Sequence, residues 1–182
     1  LANGEDRKEF KFNLHCANAL SFDWFKNESR IKTNNGFDLI VGNPPYVRAK
    51  NIDKASKTLL SNWTVTTSGN PDLYIPFFEI GLKQLNEKGV LGYITVNSFY
   101  RSVNARELRK FLQNQKYDLS IIDFGHEKLF GNKSAYTCIC LISKNQISSV
   151  AYKKESSSTL LQNGVKSFSR IPYKDLNFQK GW

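Results

Sequence analysis

Apolar and polar positions along the chain follow two periods. Phe10-Lys11-Phe12-Asn13-Leu14-His15 alternates every second residue, the pattern of a half-buried strand. Phe37 to Gly42 is a short, nearly continuous apolar run, as in a central parallel strand, and it ends in Asn43-Pro44-Pro45, through which no strand can continue. From Asp72 the period lengthens: Ile75, Phe78, Leu82 and Leu85 recur three and four residues apart, predicting a helix with Asp72 as N-cap, Pro76 in the first turn and Gly89 as the stop. Val90 to Val96 reads as another buried strand. Asn104 and Glu107 have capping-box spacing and open a helix that turns Ala105, Leu108, Phe111 and Leu112 inward. Leu119 to Phe124 and Ala135 to Ile142 complete the strands, and the irregular stretch from Lys50 to Asn70, anchored by Trp63, is expected as a helix and loop beside the active face.

Strands and helices therefore alternate, which predicts an α/β sheet whose last two strands, joined by a short loop near Gly131, form an antiparallel pair at the sheet edge. Serines at 148–149 and 156–158 dilute the pattern, so residues 1–147 read as the folded unit and 148–182 as a linker.

Composition narrows the class. The 182 residues are 40% hydrophobic and 13% aromatic, enough bulk for a core and too much for a disordered chain. No apolar run reaches the roughly 18 residues that span a bilayer, and the start of the chain has neither the basic nor the hydrophobic region of a signal peptide. No membrane partner and a cytoplasmic location are expected. Cys16, Cys138 and Cys140 form no C-x-x-C and read as buried reduced thiols, with no metal site. The absence of Met, even at position 1, suggests a piece of a longer polypeptide. A net charge of +10 suits a polyanionic partner as well as it suits a merely basic surface; the cations crowd around Arg101, Arg106, Arg109, Lys110 and Lys116, and again in the tail.

The chemistry points to Asn43-Pro44-Pro45-Tyr46, at the carboxyl end of a predicted parallel strand, where open α/β sheets place their ligands. Two prolines stiffen the turn, so the Asn43 amide oxygen and the Pro44 carbonyl can converge on one point. Such a pair suits a primary amine on a flat ring: each oxygen takes one N–H and draws the nitrogen lone pair out of conjugation. Tyr46 offers a face for the ring, a contact worth about 1–3 kcal/mol per base in nucleic-acid complexes.

The segment Phe37-Asp38-Leu39-Ile40-Val41-Gly42-Asn43-Pro44-Pro45-Tyr46 resembles the catalytic motif of the N6-adenine DNA methyltransferases of restriction–modification systems. Asp72-Leu73-Tyr74 with Phe77-Phe78-Glu79, the strand after Lys88-Gly89, Ile122-Asp123-Phe124 with Lys128-Leu129-Phe130, and Ala135-Tyr136-Thr137 resemble its later parts in order, over about residues 10 to 143. The resemblance implies a Rossmann-like, S-adenosylmethionine-dependent sheet acting on double-stranded DNA with the adenine flipped out. Asn43 and Pro44 would accept the amino hydrogens, while Tyr46 and Phe130 would stack on the two faces of the base. Asn18 and Ala19, in Cys16-Ala17-Asn18-Ala19-Leu20, match the place that contacts the cofactor's adenine, with Asn18 where the family usually has Asp; Phe77 matches the residue that packs on it. The tail from Phe168 resembles the lead into a target-recognition domain, as in single-chain restriction-and-modification enzymes of the type IIG kind, where a nuclease precedes the methyltransferase.

One departure stands out. The family's glycine-rich loop after its first strand and its acidic ribose partner are not found, so the fold is expected to be N-terminally incomplete and the chain alone to bind cofactor poorly and not to methylate. Other readings remain open at this stage: protein-glutamine or ribosomal-RNA methyltransferases that share N-P-P-Y, N4-cytosine chemistry, and an inactive basic DNA-binding module. Bacterial or archaeal cytoplasm is the expected setting.

Overall fold

The computed structural model describes residues 12–130 and 136–182. Two short helices, α1 (Trp24–Asn27) and α2 (Ser29–Thr33), precede β1 (Phe37–Gly42). Then come α3 (Lys54–Leu60), α4 (Ile75–Gln84), β2 (Leu85–Val96), α5 (Arg106–Gln115), β3 (Tyr117–Asp123), β4 (Thr137–Gln146), β5 (Ser149–Lys154), α6 (Ser157–Asn163) and β6 (Ser169–Pro172). The strands form one sheet in the order β1-β2-β4-β3-β5-β6. β1 and β2 are parallel, β4 runs antiparallel to both β2 and β3, and β3 is parallel to β5. The carboxyl ends of β1, β2 and β3 thus share one end of the sheet.

The core lies where α4 and α5 meet the strands: Phe78, Leu82, Leu108 and Leu112 are buried against Leu91, Tyr93, Leu119, Cys140 and Ile142. Along β2, buried Leu91, Tyr93 and Thr95 alternate with more open Val90, Gly92 and Ile94, as a pleat requires. The open side carries Leu39 at 61% and Val41 at 72% exposure, and the outer edge of β1 is unpaired among the described residues. Gly81 lets α4 lie directly on β2, since a Cβ there would meet Leu91 Cδ1 and the Tyr93 hydroxyl at 2.7 Å.

Several sequence expectations are corrected. The alternation over Phe10–His15 does not make a strand in its described part: residues 12–15 are irregular and exposed, and Phe10 and Lys11 lie outside the described residues, as do Gly131 and Ala135. With no neighbouring strand to cover one side, a period of two has nothing to bury. The β3–β4 pair is antiparallel as expected but internal, because β5 adds beside β3 and β6 beside β5. The presumed linker 148–182 folds back instead: Tyr173 is buried, and Trp182 packs on Phe99 and Tyr173 while its backbone N–H donates to the Tyr100 carbonyl at 2.7 Å. Gly89 does not end a helix; β2 has begun at Leu85, and Gly89 is needed because a Cβ would lie 2.5 Å from the Phe37 carbonyl. Asn104 does not cap α5, which begins at Arg106 without a side-chain cap; Ser102 caps the single 3-10 turn before it, its hydroxyl accepting from the Asn104 N–H. Cys16 is exposed, whereas Cys138 and Cys140 are buried. No helix among the described residues is long and apolar enough to cross a membrane.

Arg109, counted above with the surface cations, is fully buried. Its Nη1 donates to the Phe99 and Ser102 carbonyls at 2.6 and 2.7 Å, and its Nε donates to the Phe178 carbonyl at 2.9 Å. It therefore joins α5 to the turn after β2 and to the C-terminal segment. Arg109→Met should lower stability in urea denaturation by about 2–4 kcal/mol, since three carbonyls lose a charged donor. A loss below about 0.5 kcal/mol, the ordinary cost of a surface change, would contradict this role.

Candidate functional site

β1 ends at Gly42, and the two prolines carry the chain off the sheet. Asn43 is exposed, Pro44 buried, and Pro45 and Tyr46 half-buried. Among the described residues neither the Asn43 side chain nor the Pro44 carbonyl makes a hydrogen bond, so both oxygens are unspent. The exit from the turn is bolted down: the Leu73 N–H donates to the Val47 carbonyl at 2.9 Å, and the Ala49 N–H to Asp72 Oδ1 at 2.9 Å. Asp72, expected as the N-cap of α4, fixes this loop instead, and α4 begins after Tyr74 with no side-chain cap.

The Tyr46 hydroxyl donates to the Ile94 carbonyl of β2 at 3.2 Å, which sets the ring's height above the strand ends. Burial, with the Cys138 thiol adding to it, raises the phenol to about 12, so it stays a neutral donor. Facing it, Phe130 is 40% exposed, with ring centroids 6.5 Å apart and planes inclined by 62°. Two stacked contacts of about 3.5 Å each need a similar span, so rotation of Phe130 about its own bonds would open a slot one ring thick.

Phe130 lies in the segment that follows β3, and the start of that segment hangs from Asp123. The Asp123 carboxylate takes four hydrogen bonds: Oδ1 accepts from Asn97 Nδ2 at 2.9 Å and the Gly125 N–H at 2.9 Å, and Oδ2 from the hydroxyls of Tyr100 at 2.5 Å and Tyr152 at 2.8 Å. Asn97 also donates to the Gly125 carbonyl at 3.0 Å, where the backbone turns at φ +60°. Farther along, Glu127 accepts from the Ser157 N–H at 2.9 Å and from its hydroxyl, tying the loop to α6. Sequence reading missed this hub. The only signal was an acidic residue closing a buried strand just before Phe-Gly.

The residues matched to cofactor contact come together less completely. Leu20 is buried with Ile52, Leu60 and Ile80, and Phe77 packs against the same group while remaining half-buried. Asn18 and Ala19 are exposed; Asn18 Oδ1 turns back to accept from the Leu20 N–H at 3.0 Å, leaving the Ala19 N–H without a partner among the described residues. An aromatic face, an apolar wall and a free backbone donor fit the adenine end of a nucleoside cofactor.

The comparisons with known proteins bear on this arrangement. The model of the Eco57I restriction-modification methylase family matches residues 3–130. The chain belongs to that family. A Type II restriction enzyme and methyltransferase, RM.Eco57I of Escherichia coli, is 36% identical over 115 residues, covering 62% of this chain and 12% of its own length. The Type II methyltransferase M.BstVI of Geobacillus stearothermophilus is 38% identical over 117 residues, covering 63% of this chain and 21% of its own. The chain thus spans about an eighth to a fifth of the length of these relatives.

Among solved structures, the type IIG restriction endonuclease BpuSI aligns with a TM-score of 0.64 at 14% identity, covering 91% of this chain and 22% of that one. The Type IIL restriction-modification enzyme MmeI in complex with DNA aligns at 0.62 and 17%, covering 90% of this chain and 22% of that one. At such identities the likeness concerns the fold, which is the Rossmann-like methyltransferase sheet expected from the sequence.

Burial alone would push the Asp123 carboxyl up, but the hydrogen bonds from Tyr100, Asn97, Gly125 and Tyr152 outweigh it and hold the group below its ordinary value. A depressed carboxyl adds stability that is complete above the unfolded value near ~4 and lost as pH falls through the lower folded value. Asp123→Asn should therefore be less stable than the native chain by about 1–3 kcal/mol at neutral pH, with the gap closing below about pH 4. Urea titrations across that range check it; a gap independent of pH would contradict it.

Proposed function

We propose that this chain forms the target-base half of a site-specific DNA methyltransferase that moves a methyl group from S-adenosylmethionine to N6 of an adenine rotated out of the duplex. The observation that carries the reading is the pair of oxygens at Asn43 and Pro44, without hydrogen-bond partners among the described residues, in the turn that also carries Tyr46 opposite Phe130. Asn43 Oδ1 and the Pro44 carbonyl accept the two amino hydrogens, and the nitrogen lone pair becomes available for in-line attack. Tyr46 and Phe130 hold the ring plane between them. When bound, S-adenosylmethionine supplies the electrophilic methyl, with Phe77, Leu20 and the Ala19 N–H holding its adenine end. No ionised base is needed to begin the attack, consistent with a motif that has no His, Cys or Ser.

Positioning dominates such a reaction, and the cost of extruding the base, a few kcal/mol, is offset by stacking and phosphate contacts. Membership of a restriction–modification methylase family supports DNA as the substrate, and Asn at the first motif position favours adenine over cytosine. A glycine-rich cofactor loop and an acidic ribose ligand belong, on this reading, to a segment that pairs with the open edge of β1. Residues 1–182 alone would then bind S-adenosylmethionine poorly and fail to methylate; tight binding to this chain in calorimetry would overturn that part.

The test is transfer of labelled methyl to duplex DNA by the whole polypeptide that carries this chain, followed by nucleoside analysis of the product. N6-methyladenine is expected. Asn43→Ala should slow transfer by about 10²–10³-fold, the usual cost of one preorganised hydrogen-bonding group. Phe130→Ala should weaken productive binding by about 1–3 kcal/mol, with Phe130→Trp largely restoring it. N4-methylcytosine, or full activity of Asn43→Ala, would sink the proposal.

A further inference from the structure

Beside the turn lies a groove of about 930 Å³ that neither the motif nor the stacking rings use. One wall is the stretch from Arg48 to Leu60, and the other runs from Thr66 to Asp72 with Asn104 beside it. Three exposed cations line it, Arg48, Lys50 and Lys57, and none has a carboxylate partner within ion-pair distance among the described residues. The single acidic lining residue, Asp72, spends Oδ1 on the Ala49 N–H. Arg106 stands nearby, its Nε donating to Ser68 Oγ at 3.1 Å. Three cations against one carboxylate leave the trough net positive, which favours an anion there.

Placement identifies the anion. Arg48 follows Tyr46 by two residues, and the bonds from Leu73 to Val47 and from Asp72 to Ala49 hold this wall rigidly against the turn. A strand whose base sits between Tyr46 and Phe130 must run its backbone past that slot, and this cationic groove begins two residues from Tyr46. We infer that the groove binds consecutive backbone phosphates of the DNA strand carrying the extruded base, with Arg48, Lys50 and Lys57 as the contacts. The inference rests on the base-site reading for which strand lies there, although its measurement does not depend on catalysis. Because phosphates carry no base identity, the groove adds affinity and register and leaves sequence choice elsewhere.

The experiment uses the whole polypeptide and a short mixed-sequence duplex, with affinity measured across a range of salt concentrations. Each lost phosphate contact should flatten the slope of log K against log salt by about 0.9. Arg48→Gln, Lys50→Gln and Lys57→Gln combined should therefore flatten it by about 2–3 with an unchanged thermal unfolding midpoint. A charge-matched triple of exposed lysines on other elements, Lys32→Gln, Lys88→Gln and Lys174→Gln, should leave it as in the native protein. An unchanged slope for the groove triple, or equal flattening by both triples, overturns the inference. Displacement of the duplex by inorganic phosphate beyond that by chloride at equal ionic strength also overturns it, since the groove would then be a free-anion site. Asn43→Ala separates the two readings: if it abolishes methylation while the groove triple keeps the native slope, only the groove fails, and if it leaves methylation intact, the base site fails whatever the slope.

Discussion

Two consecutive prolines at the end of a parallel strand form the constraint on which the site depends. β1 is held in register by β2, and at Pro44 the ladder has no further donor, so the chain must leave the sheet at one height and in one direction. Everything near the turn then holds that exit still. Asp72 and Leu73 clamp the residues just past it, Val47 and Ala49, and the Tyr46 hydroxyl reaches across to the Ile94 carbonyl. The Asn43 side-chain oxygen and the Pro44 carbonyl are left without partners among the described residues. Of the two, the Pro44 carbonyl belongs to a buried residue, and buried acceptors usually have a donor to meet them.

A second fixed point stands opposite. Asp123 gathers donors from the end of β2, the turn after it, β5 and its own loop. Phe130 is therefore presented from an anchored base although the ring itself is open. The two anchors stand at the ends of β1 and β3, with β2 and β4 between them in the sheet.

Much of this was legible in the linear pattern. The runs at Phe37 to Gly42 and Val90 to Val96 read correctly as strands from their apolar, β-branched content, although Leu39 and Val41 are exposed and β2 is buried on one side only, and the face of α4 followed from Ile75, Phe78 and Leu82. Tyr46 and Phe130 were paired through a resemblance, and their ring centroids lie 6.5 Å apart. What stayed hidden depends on contacts between distant segments. Nothing local to Ser148–Trp182 says that Val150 will meet β3 or that Trp182 will reach Phe99. Likewise Arg109 reads as surface charge until three carbonyls from two segments are seen to surround it, and Asp123 reads as a strand end until four donors arrive. Phe12 and Leu14 alternate as a strand would, yet at 79% and 88% exposure they find no sheet to join.

The most direct measurement is an experimental structure of the whole polypeptide with cofactor and a duplex containing its methylated site. An extruded adenine is expected between Tyr46 and Phe130, its exocyclic nitrogen within hydrogen-bond distance of both Asn43 Oδ1 and the Pro44 carbonyl. A target base bound elsewhere, or Asn43 turned away to bond protein groups while the base is held, would contradict it.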